Sequence, residues 1–203
     1  MTALLCGNRF GRNAVVPGGV RAKPSAEVYG QVKAWIARVK PELDRALNLM
    51  FHEHSVCDRF DGTGRVSRDV AREIGLVGVA RRASEEFNGD VMARALVRRI
   101  EINEAHEKIA PLLDCAQSAA GGISAAAGNR DGFLCIRSEA AAWRGPLVHA
   151  AVFSPKGEML RYKIVDPSAR NWPGLAWALR NEQISNFPIC NKSFNLSYCG
   201  TDR

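Results

Sequence analysis

The chain has 203 residues, 46% of them hydrophobic, with 28 basic against 21 acidic side chains and a net charge of +7. That is enough apolar material for a core, and it excludes a disordered or low-complexity chain. No apolar run approaches the roughly 18 residues that cross a bilayer, and the opening apolar stretch is too short for a signal peptide, so a cytoplasmic protein is expected.

Residues 1–24 read as a loop with room for one short extended piece, punctuated by Gly11 and by Pro17-Gly18-Gly19. A glycine pair can cradle phosphate, but no Lys-Ser or Lys-Thr follows it, which argues against a nucleotide loop. Ser25 suits the N-cap of a long helix. Behind it Val28, Val32, Ile36, Val39, Leu43, Leu47 and Met50 recur at steps of three and four, which makes one apolar stripe. Pro41 falls inside the stripe and is expected to kink or split the helix. The pattern fades near His54. His52, His54 and Cys57 follow; on a helix His54 and Cys57 share a face and His52 does not, which favours a fraying helix end over a metal site. Asp58 and Asp61 flank a turn and offer fewer oxygens than a calcium loop needs.

Asp61-Gly62 and Thr63-Gly64 mark that turn. Ser67 caps a short helix over 68–74, which Gly75 ends. Residues 76–84, with Ser84 read as a further cap, lead into a second long helix over 90–119. Its stripe is Ala95, Ile102, Ala105, Ile109, Leu112 and Ala116, near heptad spacing. Arg68, Arg72, Arg81, Arg82, Arg94, Arg98 and Arg99 lie among Asp69, Glu73, Glu85, Glu86 and Glu101, so they read as a solvated helical surface or as a docking face. Neither long helix can bury its stripe alone, and part of one stripe is expected to stay exposed in the isolated chain.

Residues 118–132 are rich in Ala, Gly and Ser and read as a connector. The hydrophobic period then changes to two, with strands over 133–137, 147–153 and 159–165 and a turn at 154–157. Leu160, Tyr162 and Ile164 alternate with Arg161 and Lys163, as in a sheet with one wet face. Asn171 as cap and Pro173 in the first turn open a helix through Leu175, Trp177 and Leu179. His149 lies in a strand and is read as bonding a sheet neighbour, and His106 is isolated. Cysteines at 6, 57, 115, 135, 190 and 199 form no Cys-x-x-Cys and are expected to be reduced and partly buried. No nucleophile elbow and no Gly-x-Gly-x-x-Gly after a strand is present. The fold class is mainly α (α+β): a long-helix bundle followed by a small antiparallel sheet and a C-terminal helix and tail. It is read as one domain over 1–203, made of a loop (1–24), a helical part (25–119) and a sheet, helix and tail (133–203).

Several short stretches recur in a telling order. They are Asn8-Arg9-Phe10 with Val16-Pro17-Gly18-Gly19-Val20, then Asp58-Arg59 with Gly62-Thr63-Gly64-Arg65-Val66-Ser67 and Gly75-Leu76-Val77-Gly78. Arg81-Arg82-Ala83-Ser84, Gly89-Asp90-Val91-Met92-Ala93-Arg94, Arg144-Gly145 and Asp166-Pro167 follow, and last Asn195-Leu196-Ser197-Tyr198-Cys199-Gly200. In this order they resemble the large-subunit family of membrane-bound nickel–iron hydrogenases and formate hydrogenlyase, and of the quinone-site large subunit of respiratory complex I. Val79 and Trp143 stand where that family has proline.

The resemblance implies the C-terminal part of such a subunit, from its metal-free branch. The family's first Cys-x-x-Cys and most of its quinone-contacting residues belong to an N-terminal half ahead of the matching stretches. The places of the second thiolate pair fall on Ser197 and Gly200, with Cys199 one residue out of register. A hydroxyl and a glycine do not replace soft thiolates around nickel and iron. The implied protein is a non-metal-binding subunit, or a fragment of one, in a membrane-associated electron-transfer complex of the oxidoreductase type, inactive as a chain alone. It would have no cofactor of its own and would lie on the cytoplasmic face of the membrane. It would pack against an iron–sulfur small subunit, which carries the cluster, and against membrane subunits. The alternative is a free-standing basic helical module that binds nucleic acid or another acidic partner. That reading calls for aromatics interleaved with a basic stripe, and the long helices mix Arg with Glu instead.

Overall fold

The computed structural model describes residues 1–16, 19–118 and 132–199. The connector expected at 118–132 falls outside them apart from its two ends, as do Pro17 and Gly18. The fold is mainly α with a small sheet. Helix α1 (Thr2–Cys6) precedes a two-stranded antiparallel ladder, β1 (Val15–Val16) with β2 (Gly19–Val20). Helices α2 (Ala26–His52), α3 (His54–Phe60), α4 (Arg68–Glu73), α5 (Gly78–Glu86) and α6 (Val91–Ser118) follow. Then come strands β3 (Leu134–Ala142), β4 (Gly145–Phe153) and β5 (Met159–Val165), and helices α7 (Ser168–Ala178) and α8 (Phe187–Phe194), with a 3-10 turn at Ile184–Asn186. Among the described residues no helix is long and apolar enough to cross a membrane.

The chain divides into two compact units, Met1–Leu49 with Glu101–Gly128, and Met50–Ile100 with Asn129–Arg203. In the first, Ser25 Oγ accepts from Val28 N at 3.3 Å and starts α2. Tyr29 and Val32 of α2 pack on Leu113 of α6, with Val28, Ile36, Leu5 and Ile109 around them. Tyr29 Oη donates to Ala116 O at 3.4 Å, and Lys33 pairs with Asp114. Pro41 neither ends nor splits α2, which runs through it to His52. The heptad reading of α6 is off by one position. Leu113 is 7% exposed and Leu112 65%, because the face of α6 is chosen by where Tyr29 and Val32 sit. Of the two stripes, Val32 is buried, while Val39, Leu43, Leu47, Ala95, Ile102 and Ile109 are half-buried and Ala116 is exposed.

In the second unit Val66, Ala71, Leu76, Ala80, Val91, Leu175, Ala178, Cys190, Phe194 and Leu196 form one core. Ser67 caps α4 as expected, and Gly75, at φ 71, ends its turn. Residues 78–86 form the separate helix α5 where a lead-in was expected. Ser84 is not a cap: it is buried inside α5 and donates to Ala80 O at 3.2 Å. The sheet runs β3-β4-β5, all antiparallel, with Ile136 opposite Ala151 and Ala151 opposite Tyr162. Neither side of β5 is covered: Leu160, Tyr162 and Ile164 are exposed along with Arg161 and Lys163. His149 on β4 bonds Tyr162 on β5 through Nδ1, as expected of a strand histidine.

Candidate functional site

The site builds up around the C-terminal tail, inside the second unit. The turn at 61–64 is held by two carboxylates. Gly62 N donates to Asp90 Oδ2 at 2.9 Å and Gly64 N to Glu182 Oε1 at 2.7 Å. Asp90 also caps α6, its Oδ1 accepting from Ala93 N at 2.7 Å. One helical turn on, Arg94 is 1% exposed. Its Nε donates to Ser193 Oγ at 2.8 Å, Nη1 to Gly89 O at 2.8 Å and Nη2 to Gly64 O at 3.0 Å. Its guanidinium lies 4.3 Å from the centroid of the Phe194 ring. Burial pulls its pKa down to about 10, opposed by the nearby Cys190 and Asp90. Arg94 is therefore not part of a solvated surface. The planar fork finds three acceptors that only the folded chain brings together.

Arg98, one turn further, donates from Nη2 to Ser193 O at 3.0 Å and Phe194 O at 3.2 Å, and lies 4.9 Å from the Trp143 ring. Arg144 Nε bonds Asn195 O. Arg144 is placed in turn by a tight backbone crossing. A Cβ on Gly78 would stand 2.5 Å from Gly145 Cα and 2.6 Å from Arg144 O. Beside that crossing Asn171 is buried. Its Oδ1 accepts from Val77 N at 3.0 Å, and its Nδ2 donates to Val77 O and Arg144 O, each at 3.2 Å. The expected cap at Asn171 is thus wrong: α7 begins at Ser168, and Asn171 ties three segments together.

Of the two residues expected at the family's ligand places, Ser197 is half-buried and its backbone N donates to Ser168 Oγ at 2.9 Å. Gly200 lies outside the described residues. Cys199 is exposed. Tyr198 is fixed beside it, with its ring centroid 5.2 Å from that of Trp172 and its hydroxyl accepting from Asn191 Nδ2 at 2.9 Å. The donor set at these places, one hydroxyl and a displaced thiol, does not fit a thiolate-held nickel–iron centre. Among the described residues no group of three His, Cys, Asp or Glu is placed to hold a metal. His52 ends α2, while His54 and Cys57 belong to α3.

Ser193 and Cys190 are engaged in holding structure. Ser193 Oγ donates to Cys190 O at 2.6 Å while accepting from Arg94. Cys190 is buried, and burial pushes its thiol up from the ordinary value, against the pull of Arg94. Three arginines of α4 and α5 pair locally: Arg72 and Arg81 share Glu85 at 3.4 and 3.1 Å, and Arg82 reaches Glu86 at 2.9 Å. The hydrogen bond from Arg81 lowers the Glu85 pKa. These arginines make a solvated surface and no basic stripe. The sequence reading missed Arg94, Arg98, Arg144 and Asn171 as the clamp. The available signal was Asp90 four residues before Arg94 at a helix start, behind a glycine.

Residues 1–87 match the family described as respiratory-chain NADH dehydrogenase, 49 Kd subunit. The chain is 24% identical over 233 residues to formate hydrogenlyase subunit 5 of Escherichia coli (strain K12), covering 100% of this chain and 39% of that protein. It is also 24% identical over 217 residues to hydrogenase-4 component G of the same organism, covering 100% of this chain and 38% of the relative. A chain in the structure of the membrane-bound sulfane sulfur reductase, an archaeal respiratory membrane complex, superposes with a TM-score of 0.87 at 22% identity. That match covers 99% of this chain and 62% of the other, and it shows a shared fold. The chain spans about two fifths of the length of the curated relatives it matches.

Proposed function

From the chain's membership of the large-subunit family of hydrogenases, formate hydrogenlyase and the respiratory NADH dehydrogenase 49 Kd subunit, we propose that it is a non-metal-binding large-subunit part of a membrane-associated electron-transfer complex. In this reading it lies on the cytoplasmic face, packs against an iron–sulfur small subunit and membrane subunits, and carries no redox centre itself. One observation supports this above the others. The tail that leads to the expected ligand places is bonded through Arg98, Arg144 and Ser168, and a serine, Ser197, stands where the resemblance expects a thiolate. Such bonds let the protein position the tail through its own side chains and so favour a docking framework. Any quinone or nicotinamide chemistry would then belong to the rest of the assembly.

The test is purification of the tagged chain from detergent-solubilised membranes of its own cells, with subunit identification and elemental analysis. Recovery of an iron–sulfur subunit and integral membrane subunits, with iron in the small subunit and no nickel in this chain, is the expected outcome. Stoichiometric nickel that disappears on Cys199→Ser, or a chain recovered free of partners, would overturn the reading.

A further inference from the structure

The first unit presents a basic face of unusual composition. Arg9, Arg12, Arg21 and Lys23 are all exposed, and the first acidic residue of the chain is Glu27. The apolar side chains of the same stretch also face outward: Phe10 is 66% exposed, Val15 77% and Val20 44%. On the helices, by contrast, Lys40 is matched by Asp44 at 2.6 Å and Arg82 by Glu86 at 2.9 Å.

The loop that carries Phe10 is built. Asn8 Oδ1 accepts from Phe10 N at 3.2 Å and Arg12 N at 2.9 Å, while Asn8 Nδ2 donates to Arg12 O at 3.0 Å. Gly11 and Asn13, at φ 65 and 60, complete the turn. Phe10 is thereby lifted out, with the guanidinium carbons of Arg9 and Arg12 at 4.5 and 5.4 Å from its ring centroid. Ala14 is buried behind the loop, and Arg21 N donates to its carbonyl at 2.8 Å. Val15 pairs with Val20 across the ladder, so the two exposed valines point to the same side of it.

Apolar tips set among cations, in a stretch whose sequence carries no acid before Glu27, match the boundary of an anionic bilayer. There the tips reach the acyl margin while guanidinium groups meet phosphates. Nucleic acid shares the charge, but Val15 and Val20 offer it nothing to stack on. We propose that this N-terminal face, carried by Arg9, Phe10, Arg12, Val15, Val20 and Arg21, docks the chain on an anionic lipid surface. The proposal rests on the reading of the chain as a peripheral subunit of a membrane complex and supplies the contact that reading lacks.

The experiment uses the full chain with sedimented vesicles of phosphatidylglycerol and phosphatidylcholine in about equal parts, beside vesicles of phosphatidylcholine alone. Binding to the first and not the second is expected, weakening as salt rises from about 0.1 M to about 0.5 M. Arg9→Glu with Arg12→Glu should lower partitioning by at least about tenfold. Phe10→Ser should lower it roughly fivefold with thermal unfolding unchanged. Arg161→Glu with Lys163→Glu, on the exposed strand β5, should bind as the parent does. No binding to anionic vesicles, or binding that survives the Arg9 and Arg12 reversal, overturns the proposal. A double reversal that leaves vesicle binding intact but abolishes recovery of partner subunits would also overturn it, in favour of an acidic protein surface. If vesicles fail while iron–sulfur and membrane subunits still co-purify, the lipid contact falls and the subunit reading stands.

Discussion

Arg94→Ala should cost a large share of the second unit's stability. The substitution removes the donors that satisfy Ser193 Oγ, Gly89 O and Gly64 O, the ring contact with Phe194, and the cation near Asp90. Hydrogen bonds from a charged group contribute about 1.5–3 kcal/mol each, but they do not add, and the buried charge already carries a desolvation cost that its depressed pKa records. What remains is the cost of leaving buried neutral acceptors without their donor, about 1–3 kcal/mol each and not additive, so a net loss of roughly 2–4 kcal/mol is expected. Against a total stability of roughly 5–15 kcal/mol, that is a shift visible in any equilibrium unfolding curve. The assay is urea unfolding followed by circular dichroism and by the fluorescence of Trp172 and Trp177, which lie in the same unit as Arg94. Arg94→Lys keeps the charge without the three-acceptor fork and should fall between parent and alanine variant. A loss below about 1 kcal/mol for Arg94→Ala, or a lysine variant equal to the parent, would refute the clamp argument.

Gly78→Ala should be among the most damaging single-methyl additions in the chain. Its φ of 59 is the left-handed region, and the new Cβ would press on Gly145 Cα and Arg144 O, so misfolding or a loss of more than about 2 kcal/mol in thermal unfolding is expected. Asn171→Ala leaves Val77 N, Val77 O and Arg144 O short of a partner. It should cost about 2–3 kcal/mol in urea and speed limited proteolysis of the tail; unchanged proteolysis would argue against the bridge from Asn171 through Arg144 to Asn195. The Cys190 thiol is held above its ordinary 9.0 mainly by burial, so the folded chain keeps a proton that the unfolded chain gives up. Its contribution is complete below pH 9.0 and is lost as pH rises through the folded value. Cys190→Ala should therefore flatten the fall in stability measured as pH rises from about 9 to about 10.5, and an unaltered slope would count against it.

Local chemistry was legible from the residues. Ser25 and Ser67 start helices because a hydroxyl reaches an amide three residues on, and Gly62, Gly64 and Gly75 sit where a turn needs positive φ. Strand β5 and the turn before it followed from a period of two bounded by Pro155 and Gly157. The family resemblance, too, was carried by short stretches in order. Tertiary structure decided the rest. Arg81 and Arg94 look alike in sequence, each beside acids on a helix. One pairs at the surface, while the other is buried, because its acceptors come from residues 64, 89 and 193, up to 99 positions away. Leu112 and Leu113 both continue the spacing from Ile109, and only Tyr29 and Val32 on the other helix select between them. Asn171 could have capped α7; the crossing of Gly78 with Gly145 instead puts two carbonyls and an amide within its reach. Capping, turns and alternation act over a few residues and can be read off them. Burial of a charge or the choice of a helix face depends on atoms distant in sequence, which only the folded chain assembles.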